Sequence, residues 1–404
     1  MSGTVDVSGP DQLLTSWAEV HEALQRDDVL VQASYDEAKP DIFGGALLTL
    51  DGAEHRARRR IEQRLFRPPV VRAYDRDVLP GIVAMELAEL GDRAFDLVTV
   101  GRRITTRVAT AVVGVDDCTS RERVERLAEL MTALHAGVVV RWSARPHAEV
   151  LAEARAAKVA FRDEFLAASL ERRRAGGPGA GRPLDLLELL VAHADELGWT
   201  DEQYLTEALH YLIAAAHTAS NGLTHAVADL EGWLAAHPED RQRVADPDFV
   251  ARCAAETLRL HAPTATAFRG VVADVTLESG RALHRGELVG LDLLSASRDP
   301  AVYGEGADRF DPWRATGNAS QAFGLSFSSG AHNCPGRQLA AGSGPVRDRA
   351  GETVQGMLAR IVTALYAAGL RTAGAPTLNP DSLRAQYATY PVVLTRPVAP
   401  AARP

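Results

Sequence analysis

The chain has 404 residues, 46% apolar and 24% charged, with a formal net charge of −9. These values are ordinary for a globular protein, and the negative charge argues against nucleic acid as a general partner. Three cysteines without zinc-site spacing, no signal peptide and no apolar run long enough to cross a membrane favour a cytoplasmic protein with no membrane partner.

The first half of the chain has mainly helical periodicity, with apolar residues three and four positions apart. In chain order, the predicted helices of this half are 16–24, 54–66, 121–137, 146–174 and 184–197. The longest pattern, 201–236, has no internal proline and predicts a helix across the centre of the domain.

The later part of the chain changes character. A helix at 248–261 is followed at 268–294 by β-branched alternation and glycine turns, which predict short strands. A helix at 358–369 and a closing hairpin strand at 387–395 complete the pattern. The prediction is a single domain over 1–404, mainly α with small, mostly antiparallel β regions.

Cys334 lies in a glycine-punctuated loop, just before a helix-like segment. Gly330 and Gly336 allow the backbone to approach a large flat group, and His332 is placed to reach an anion at its edge. Backbone N–H groups at the start of the following helix would stabilise a thiolate. This layout suits a haem whose iron is held by one sulfur.

The segment 327–340 reads Phe-x-x-Gly-x-His-x-Cys-x-Gly-x-x-Leu-Ala and resembles the cysteine-ligand loop of the cytochrome P450 family. The resemblance implies that family's fold, with a long central helix over haem b and the cysteine loop on the opposite face. It makes Cys334 the axial ligand of the iron and places Phe327 and Gly336 against the cofactor.

Further segments agree with the family in the same order. Glu256 and Arg259 match its Glu-x-x-Arg helix, and Arg309, in a segment resembling Pro-Glu-Arg-Phe, would complete a buried structural triad that braces the cysteine loop. Four residues match the family's partners of the haem propionates: His55, Arg59, Arg269 and His332.

The central helix departs from the family's Ala/Gly-Gly-x-Asp/Glu-Thr motif, whose acid and alcohol deliver protons during dioxygen activation. With Ala215 and Ala216 aligned to the first pair, Thr218 takes the place of the acid and Ala219 that of the alcohol. Ser220 could supply a hydroxyl one residue late. His217 is an alternative acid, but we favour a sideways orientation with local partners.

Three interpretations follow from this departure. The substrate supplies a hydroxyl or amine for proton delivery. Peroxide, which brings its own protons and electrons, drives the reaction. Or the haem performs another reaction, such as radical coupling, nitrenoid transfer or dehydration.

The resemblance also nominates a substrate pocket with small, apolar walls, suited to a medium-sized, largely hydrophobic molecule. Its predicted residues are Ala215, Ala216, Thr264, Ala265, Phe268 and Tyr387, with the stretch 42–48 and Ala219 and Ser220 beside them.

Two other regions depart from the family. The first helix is predicted to be reduced or absent. Glycine and proline at 342–351 are expected to interrupt the helix after the cysteine loop, where Arg337, Arg347 and Arg349 could form a basic patch for an electron donor.

The favoured function is a bacterial haem-thiolate oxidoreductase of monooxygenase type in secondary metabolism, served by ferredoxin and ferredoxin reductase unless peroxide substitutes. Two other classes stay open. One is a non-catalytic haem sensor or carrier, motivated by the altered proton-delivery motif. The other is a helical protein without haem, which would have no Soret absorption.

Overall fold

A computed structural model describes residues 9–177, 182–318, 321–344, 353–382 and 385–396. The reduction of the family's first helix stays a prediction. Residues 1–8 form the start of the chain, and most of the predicted insertion, with Arg347 and Arg349, falls at 345–352. These segments lie outside the described residues.

The α-helices, in chain order, are α1 (Trp17–Gln25), α2 (Gly52–Glu62), α3 (Pro68–Ala73), α4 (Leu79–Ala88), α5 (Leu97–Val113), α6 (Arg121–Val138), α7 (His147–Phe161), α8 (Ala167–Arg174), α9 (Leu186–Val191), α10 (Ala194–Leu197), α11 (Asp201–Ala236), α12 (Pro247–Leu260), α13 (Leu293–Ala296), α14 (Pro300–Tyr303), α15 (Arg337–Ala341) and α16 (Met357–Ala367). The strands are β1 (Gln12–Leu14), β2 (Leu30–Gln32), β3 (Phe95–Asp96), β4 (Thr266–Val271), β5 (Val275–Thr276), β6 (Ala282–Leu283), β7 (Leu288–Asp292), β8 (Leu370–Thr372), β9 (Thr377–Leu378), β10 (Tyr387–Thr389) and β11 (Pro391–Leu394). The predicted mainly α fold with small β regions is confirmed.

Helix α11 forms the axis of the core, and its bounds match the predicted 201–236. At its start the Thr200 N–H donates to Gln203 Oε1 at 2.9 Å, satisfying a backbone donor that the helix leaves open. Thirty-six residues span about 54 Å. The helix therefore crosses the whole domain.

Helix α5 packs closely along α11 because Gly101 lacks a side chain. A Cβ at Gly101 would lie 3.0 Å from Leu223 Cδ2 and 3.6 Å from Ser220 Oγ. This contact fixes the rotation of α11 about its own axis. It thereby determines which α11 residues face α5 and which face the opposite side.

The largest sheet has the order β1-β7-β4-β2. Strand β1 pairs with β7 in parallel, and the β7-β4 and β4-β2 pairs are antiparallel. The last pair sets Gln32 opposite Arg269. The smaller sheets are β3-β11-β8, β5-β6 and β9-β10.

None of the helices in the described residues is long and apolar enough to cross a membrane. Helix α15 ends at Ala341, and Gly342, the first residue of the predicted interruption, has a φ of 74°.

A buried histidine on α11 gives the fold a pH dependence. His225 Nε2 lies 3.1 Å from the Ala385 carbonyl oxygen, which only accepts, so Nε2 carries the proton and donates it. The His225 ring stacks on His261, with ring centroids 4.2 Å apart. Burial, and then the nearby His261, lower its pKa from 6.5 to about 4. In the unfolded chain this histidine protonates first as the pH falls.

We therefore expect its contribution to stability to be complete above pH 6.5 and to be lost progressively as the pH falls towards 4. About 2.5 pKa units at about 1.4 kcal/mol each give an upper limit of about 3 kcal/mol. Urea unfolding of native protein and His225→Asn at pH 7 and pH 5 checks this. The stability advantage of the native protein should shrink at pH 5; an advantage independent of pH would contradict the assignment.

Candidate active site

The loop around Cys334 is shaped by backbone contacts. The Cys334 N–H donates to the Phe327 carbonyl at 2.8 Å. Gly330 has a φ of 68°, and a Cβ there would collide with the Leu24 backbone, so glycine is required. Helix α15 begins three residues after the cysteine. The loop thus presents Cys334 to a large cavity.

This cavity has the cysteine loop on one side and α11 on the other. The loop contributes Cys334 and, as predicted, Phe327 and Gly336 to its wall. Helix α11 contributes Tyr211, Ala214, Ala215, Thr218, Ala219 and Gly222, which recur with helical spacing. The sulfur and one face of α11 therefore enclose a common space.

The electrostatic surroundings of Cys334 act in two directions. Burial raises the pKa of the thiol, while the Gly336 N–H, Arg59 and Arg337 lower it by a smaller amount. The net pKa lies above the ordinary value. A bound metal cation would supply the additional stabilisation that the thiolate requires.

The four predicted propionate partners meet at this cavity from separate parts of the chain. His55 and His332 stack with ring centroids 4.2 Å apart, and Arg59 donates to the Asn333 carbonyl at 2.6 Å. Arg269 is held from β4. All four side chains line the cavity, so the structure brings this predicted group together.

The charge of Arg269 is buried without a carboxylate partner. Arg269 is only 4% exposed. Its guanidinium donates to two neutral acceptors, Gln32 Oε1 at 2.7 Å and the Phe268 carbonyl. Among the described residues it forms no ion pair. A buried cation of this kind favours an anionic ligand in the cavity.

Asp51 offsets part of this positive charge. Burial alone would raise its pKa, but hydrogen bonds from His332, 3.3 Å away, and from the Gln32 N–H hold it below the usual value. Burial, followed by the charges of His332 and Arg59, lowers the pKa of His55 to about 4. The cluster still has two permanent cations for one carboxylate, so it suits a group with two carboxylates.

The predicted brace contains Glu256 and Arg259 but not Arg309. Arg259 donates to both Glu256 oxygens at 2.7 Å and is completely buried. The second arginine on Glu256 is Arg314, whose Nε lies 2.9 Å from Oε1. Arg309 is exposed and forms no ion pair with Glu256 in the described structure, so this part of the prediction is wrong.

The physical reason is a turn between the two arginines. The Arg314 guanidinium also donates to the carbonyls of Gly306 and Arg309, each 2.8 Å away. The turn folds back over Arg314 and leaves the Arg309 side chain outside. The linear motif alone does not show which of two arginines five positions apart points inward to Glu256.

Thr218 faces the cavity, and its hydroxyl donates to the Ala214 carbonyl one turn earlier. The predicted alignment placed the alcohol position at Ala219 and left it without a hydroxyl. In the structure both Thr218 and Ala219 line the cavity, so at these two positions the hydroxyl on the cavity face of α11 belongs to Thr218.

Three predicted α11 residues point elsewhere. Ser220 is 5% exposed and faces Gly101 of α5. Ala216 is buried outside the cavity wall, and His217 stacks on His135 of α6 with centroids 4.3 Å apart. The sideways orientation favoured for His217 is therefore observed, whereas Ser220 and Ala216 are wrong as cavity residues.

Some of the remaining residues predicted for the substrate pocket line the cavity, and others do not. Thr264 lines the cavity, as do Leu47 and Leu48 from the predicted stretch 42–48. Ala265, Phe268 and Tyr387 do not. Phe268 lies between Ala267 and Arg269, which do line the cavity, and strand alternation directs it to the other face, against Trp142.

Tyr387 packs instead between His225 and Tyr390. Sequence reasoning also missed several wall residues, including His210 and Tyr211 on α11 and Val108 and Val112 on α5. Helical spacing from Thr218 back to Ala214 and Tyr211 was the available signal for the α11 residues. No pattern in the sequence indicated that Val108 and Val112 line the cavity.

Comparison with known proteins now assigns the family. The sequence profile described as "Cytochrome P450" matches residues 19–342, which is most of the chain. The chain belongs to the cytochrome P450 family. Its cofactor is therefore haem, which this family binds through a cysteine thiolate.

Curated relatives of this P450 include human "Cytochrome P450 4F8", 27% identical over 186 residues that cover 39% of this chain and 35% of that protein. Mouse "Leukotriene-B4 omega-hydroxylase 3" is 26% identical over 186 residues, with 39% and 34% covered. The alignment thus spans about a third of the length of these relatives.

Solved P450 structures share the fold over nearly the whole chain. CalO2 has a TM-score of 0.76 at 22% identity, covering 95% of this chain and 91% of its own. CxnD, described as an enzyme for C–S bond formation in chuangxinmycin biosynthesis, has a TM-score of 0.74 at 21% sequence identity. The match covers 96% of this chain and 90% of CxnD. LnmA, a hydroxylase from the leinamycin pathway of Streptomyces atroolivaceus S-140, has a TM-score of 0.72 at 22% sequence identity. The match covers 94% of this chain and 89% of LnmA.

The residues of the cavity fit haem b. The cysteine supplies a sulfur ligand for the iron, and the cationic cluster with the unpaired Arg269 suits the two propionates. Gly336 lies beside the sulfur, since a Cβ at this position would be 3.9 Å from Cys334 Sγ.

We expect Arg59→Ala to release haem to an excess of apo-globin about tenfold faster than the native protein, because a charge-assisted hydrogen bond is worth roughly 1.5 kcal/mol or more. Arg60→Ala is the matched control, since Arg60 is exposed one position along α2. Stopped-flow absorbance measures both rates. Equal rates for the two variants would remove Arg59 from the propionate site.

Proposed function

We propose that this protein is a haem-thiolate monooxygenase for a medium-sized, largely hydrophobic molecule, with Cys334 as the axial ligand of the iron. The observation that carries the proposal is the common cavity between Cys334 and the Thr218 face of α11. When bound, haem supplies oxidative chemistry driven by dioxygen, two electrons and protons.

The protein residues divide the remaining tasks. His55, Arg59, Arg269 and His332 fix the orientation of the cofactor through its carboxylates. Glu256, Arg259 and Arg314 hold the segments that support the cysteine loop. The walls formed by Ala214, Ala215 and Ala219 exclude water from the space where substrate binds.

Thr218 is proposed to position a water molecule for proton delivery. Its single hydroxyl proton is directed to the Ala214 carbonyl, so the Oγ1 lone pairs are left as acceptors at the cavity face. Its neighbours in the sequence are His217 and Ala219 rather than a carboxylic acid, and the His217 ring stacks on His135. We therefore keep a hydroxyl or amine of the substrate as the proposed partner of this water.

The proposed setting is secondary metabolism, with ferredoxin and ferredoxin reductase as electron donors. The names of CxnD and LnmA, which refer to chuangxinmycin and leinamycin, support this setting. Arg337 lies half-buried beside the cysteine and packs over Phe323, 5.5 Å from the ring centroid. The other two arginines proposed for donor docking are Arg347 and Arg349.

A substrate screen followed by turnover tests the proposal. Apolar compounds that bind above the haem are expected to shift the Soret band from low to high spin. The compound with the largest shift is then incubated with NADPH and a surrogate ferredoxin and reductase, and mass spectrometry should show a product heavier by one oxygen atom. Binding without any product, with this system or with hydrogen peroxide, would instead support a haem carrier or sensor.

A further inference from the structure

A buried group of ionisable residues lies in the cavity wall, near the start of α11. Glu207, His210 and Tyr211 belong to α11, and Arg58 and Glu62 belong to α2. Tyr211 bonds to Glu62 Oε2 at 2.8 Å, and Arg58 Nε lies 3.0 Å from Glu62 Oε1. Arg58 also pairs with Glu207 and covers the ring of Trp199.

The two carboxyl groups of this cluster have opposite pKa shifts. Burial, and then the charge of Glu207, raise the pKa of Glu62 well above its usual value. Burial alone would also raise the pKa of Glu207. This effect is outweighed by hydrogen bonds from His210 and the Leu47 N–H and by the charge of Arg58, so the pKa of Glu207 lies below the usual value. The lowered pKa favours the ionised form of Glu207, which lies opposite the Arg58 guanidinium.

Glu207 determines the orientation of His210. The His210 Nδ1 atom lies 2.7 Å from Glu207 Oε1, and an ionised carboxylate only accepts, so Nδ1 carries the proton. In the neutral form of an imidazole protonated at Nδ1, Nε2 carries a lone pair that can accept a hydrogen bond. His210 is 9% exposed and lines the cavity, and Nε2 has no hydrogen-bond partner among the described residues.

An acceptor in this position requires a donor. His210 precedes Thr218 by eight residues, or about 12 Å along α11. Phe43 packs edge-on against the His210 ring, with ring centroids 5.8 Å apart, and supplies no hydrogen-bond donor from its side chain. An unpaired acceptor in such a wall costs free energy that a ligand donor would restore.

We infer that His210, oriented by Glu207, determines specificity by accepting a hydrogen bond from a hydroxyl or N–H group of the substrate, remote from its reacting carbon. This inference rests on the proposed function and narrows its substrate class. The substrate is an elongated apolar molecule with a hydrogen-bond donor roughly 12 Å from the position beside Thr218.

N-alkylimidazoles test the inference at pH 8, because their nitrogen ligates the iron and fixes one end of the chain. Series of increasing length ending in hydroxyl or in methoxy groups are titrated by the shift of the Soret band. At the length that reaches His210, the native protein should bind the hydroxyl compound about 3- to 10-fold more tightly, as expected for one net hydrogen bond. The methoxy compound retains an acceptor but has no donor.

Two variants identify the acceptor. His210→Phe should reduce the hydroxyl preference to about onefold. Glu207→Gln should do so as well, because its amide can donate to Nδ1 and move the imidazole proton to Nε2. The Nε2–H group can then donate to a hydroxyl oxygen or to a methoxy oxygen and does not distinguish the two compounds. His284→Phe, in an exposed turn, is the matched control and should retain the native preference.

The native chain-length series decides the question even if a variant fails to fold. Equal affinity for hydroxyl and methoxy compounds at every length would overturn the inference, and so would a preference that survives in His210→Phe. Failure of every imidazole to shift the Soret band would instead contradict haem binding in this cavity and the proposed function with it.

Discussion

Arg314→Ala is expected to abolish most haem incorporation, whereas Arg309→Ala leaves it unchanged. Glu256 is buried between Arg259 and Arg314, and Arg314 also donates to the Tyr303 and Gly306 carbonyls at 2.9 and 2.8 Å. Removing it leaves a buried carboxylate with one cation fewer and several carbonyls without their donor. Breaking a buried pair typically costs about 3–5 kcal/mol, a large share of the roughly 5–15 kcal/mol that stabilises a protein.

Urea unfolding and the ratio of Soret to protein absorbance measure this effect. Arg309→Ala removes an exposed side chain of the same type, five positions away, and should change stability by no more than about 0.5 kcal/mol. A loss of haem equal in both variants, or larger for Arg309→Ala, would refute the assignment of Arg314 to the brace.

Thr218→Ala is expected to uncouple electron use from product formation. Without the cavity-facing hydroxyl, water near the haem loses its fixed position, and proton delivery contributes roughly 10²–10⁴-fold in many enzymes. We expect product per NADPH to fall about tenfold or more, with hydrogen peroxide released instead. The compound selected by the spin-state screen serves as substrate.

Ser220→Ala is the matched control for this experiment. It also deletes a hydroxyl from α11, but one that faces Gly101 rather than the cavity. Its coupling should match that of the native protein. Uncoupling by Ser220→Ala but not by Thr218→Ala would return the alcohol to the position proposed from sequence and disprove the role of Thr218.

The bounds of α11 were predictable because its signals are local. A capping pair at Thr200 and Gln203 marks its start, and no proline interrupts its apolar periodicity. The rotation of α11 was not predictable, because Ala214, Ala215 and Ala216 offer several equivalent alignments. The contact with Gly101 of α5, distant in sequence, selects one of them.

The site was predictable where the motif and its spacing are unambiguous. Cys334 and the four cavity cations lie together as their order in the chain suggested. Phe268 was misplaced because the strand alternation between Ala267 and Arg269 was not applied to it. His210 has no linear motif, because the cluster around its partner Glu207 is completed by Arg58 of α2, 149 positions from Glu207 along the chain.

The carbon monoxide difference spectrum of the reduced protein tests the central claim most directly. Thiolate ligation by Cys334 predicts the long-wavelength Soret band characteristic of this family, and predicts its loss in Cys334→Ala, with Cys253→Ala as the matched control that retains it. A native spectrum without that band, or a band that persists in Cys334→Ala, would contradict Cys334 as the ligand of the iron.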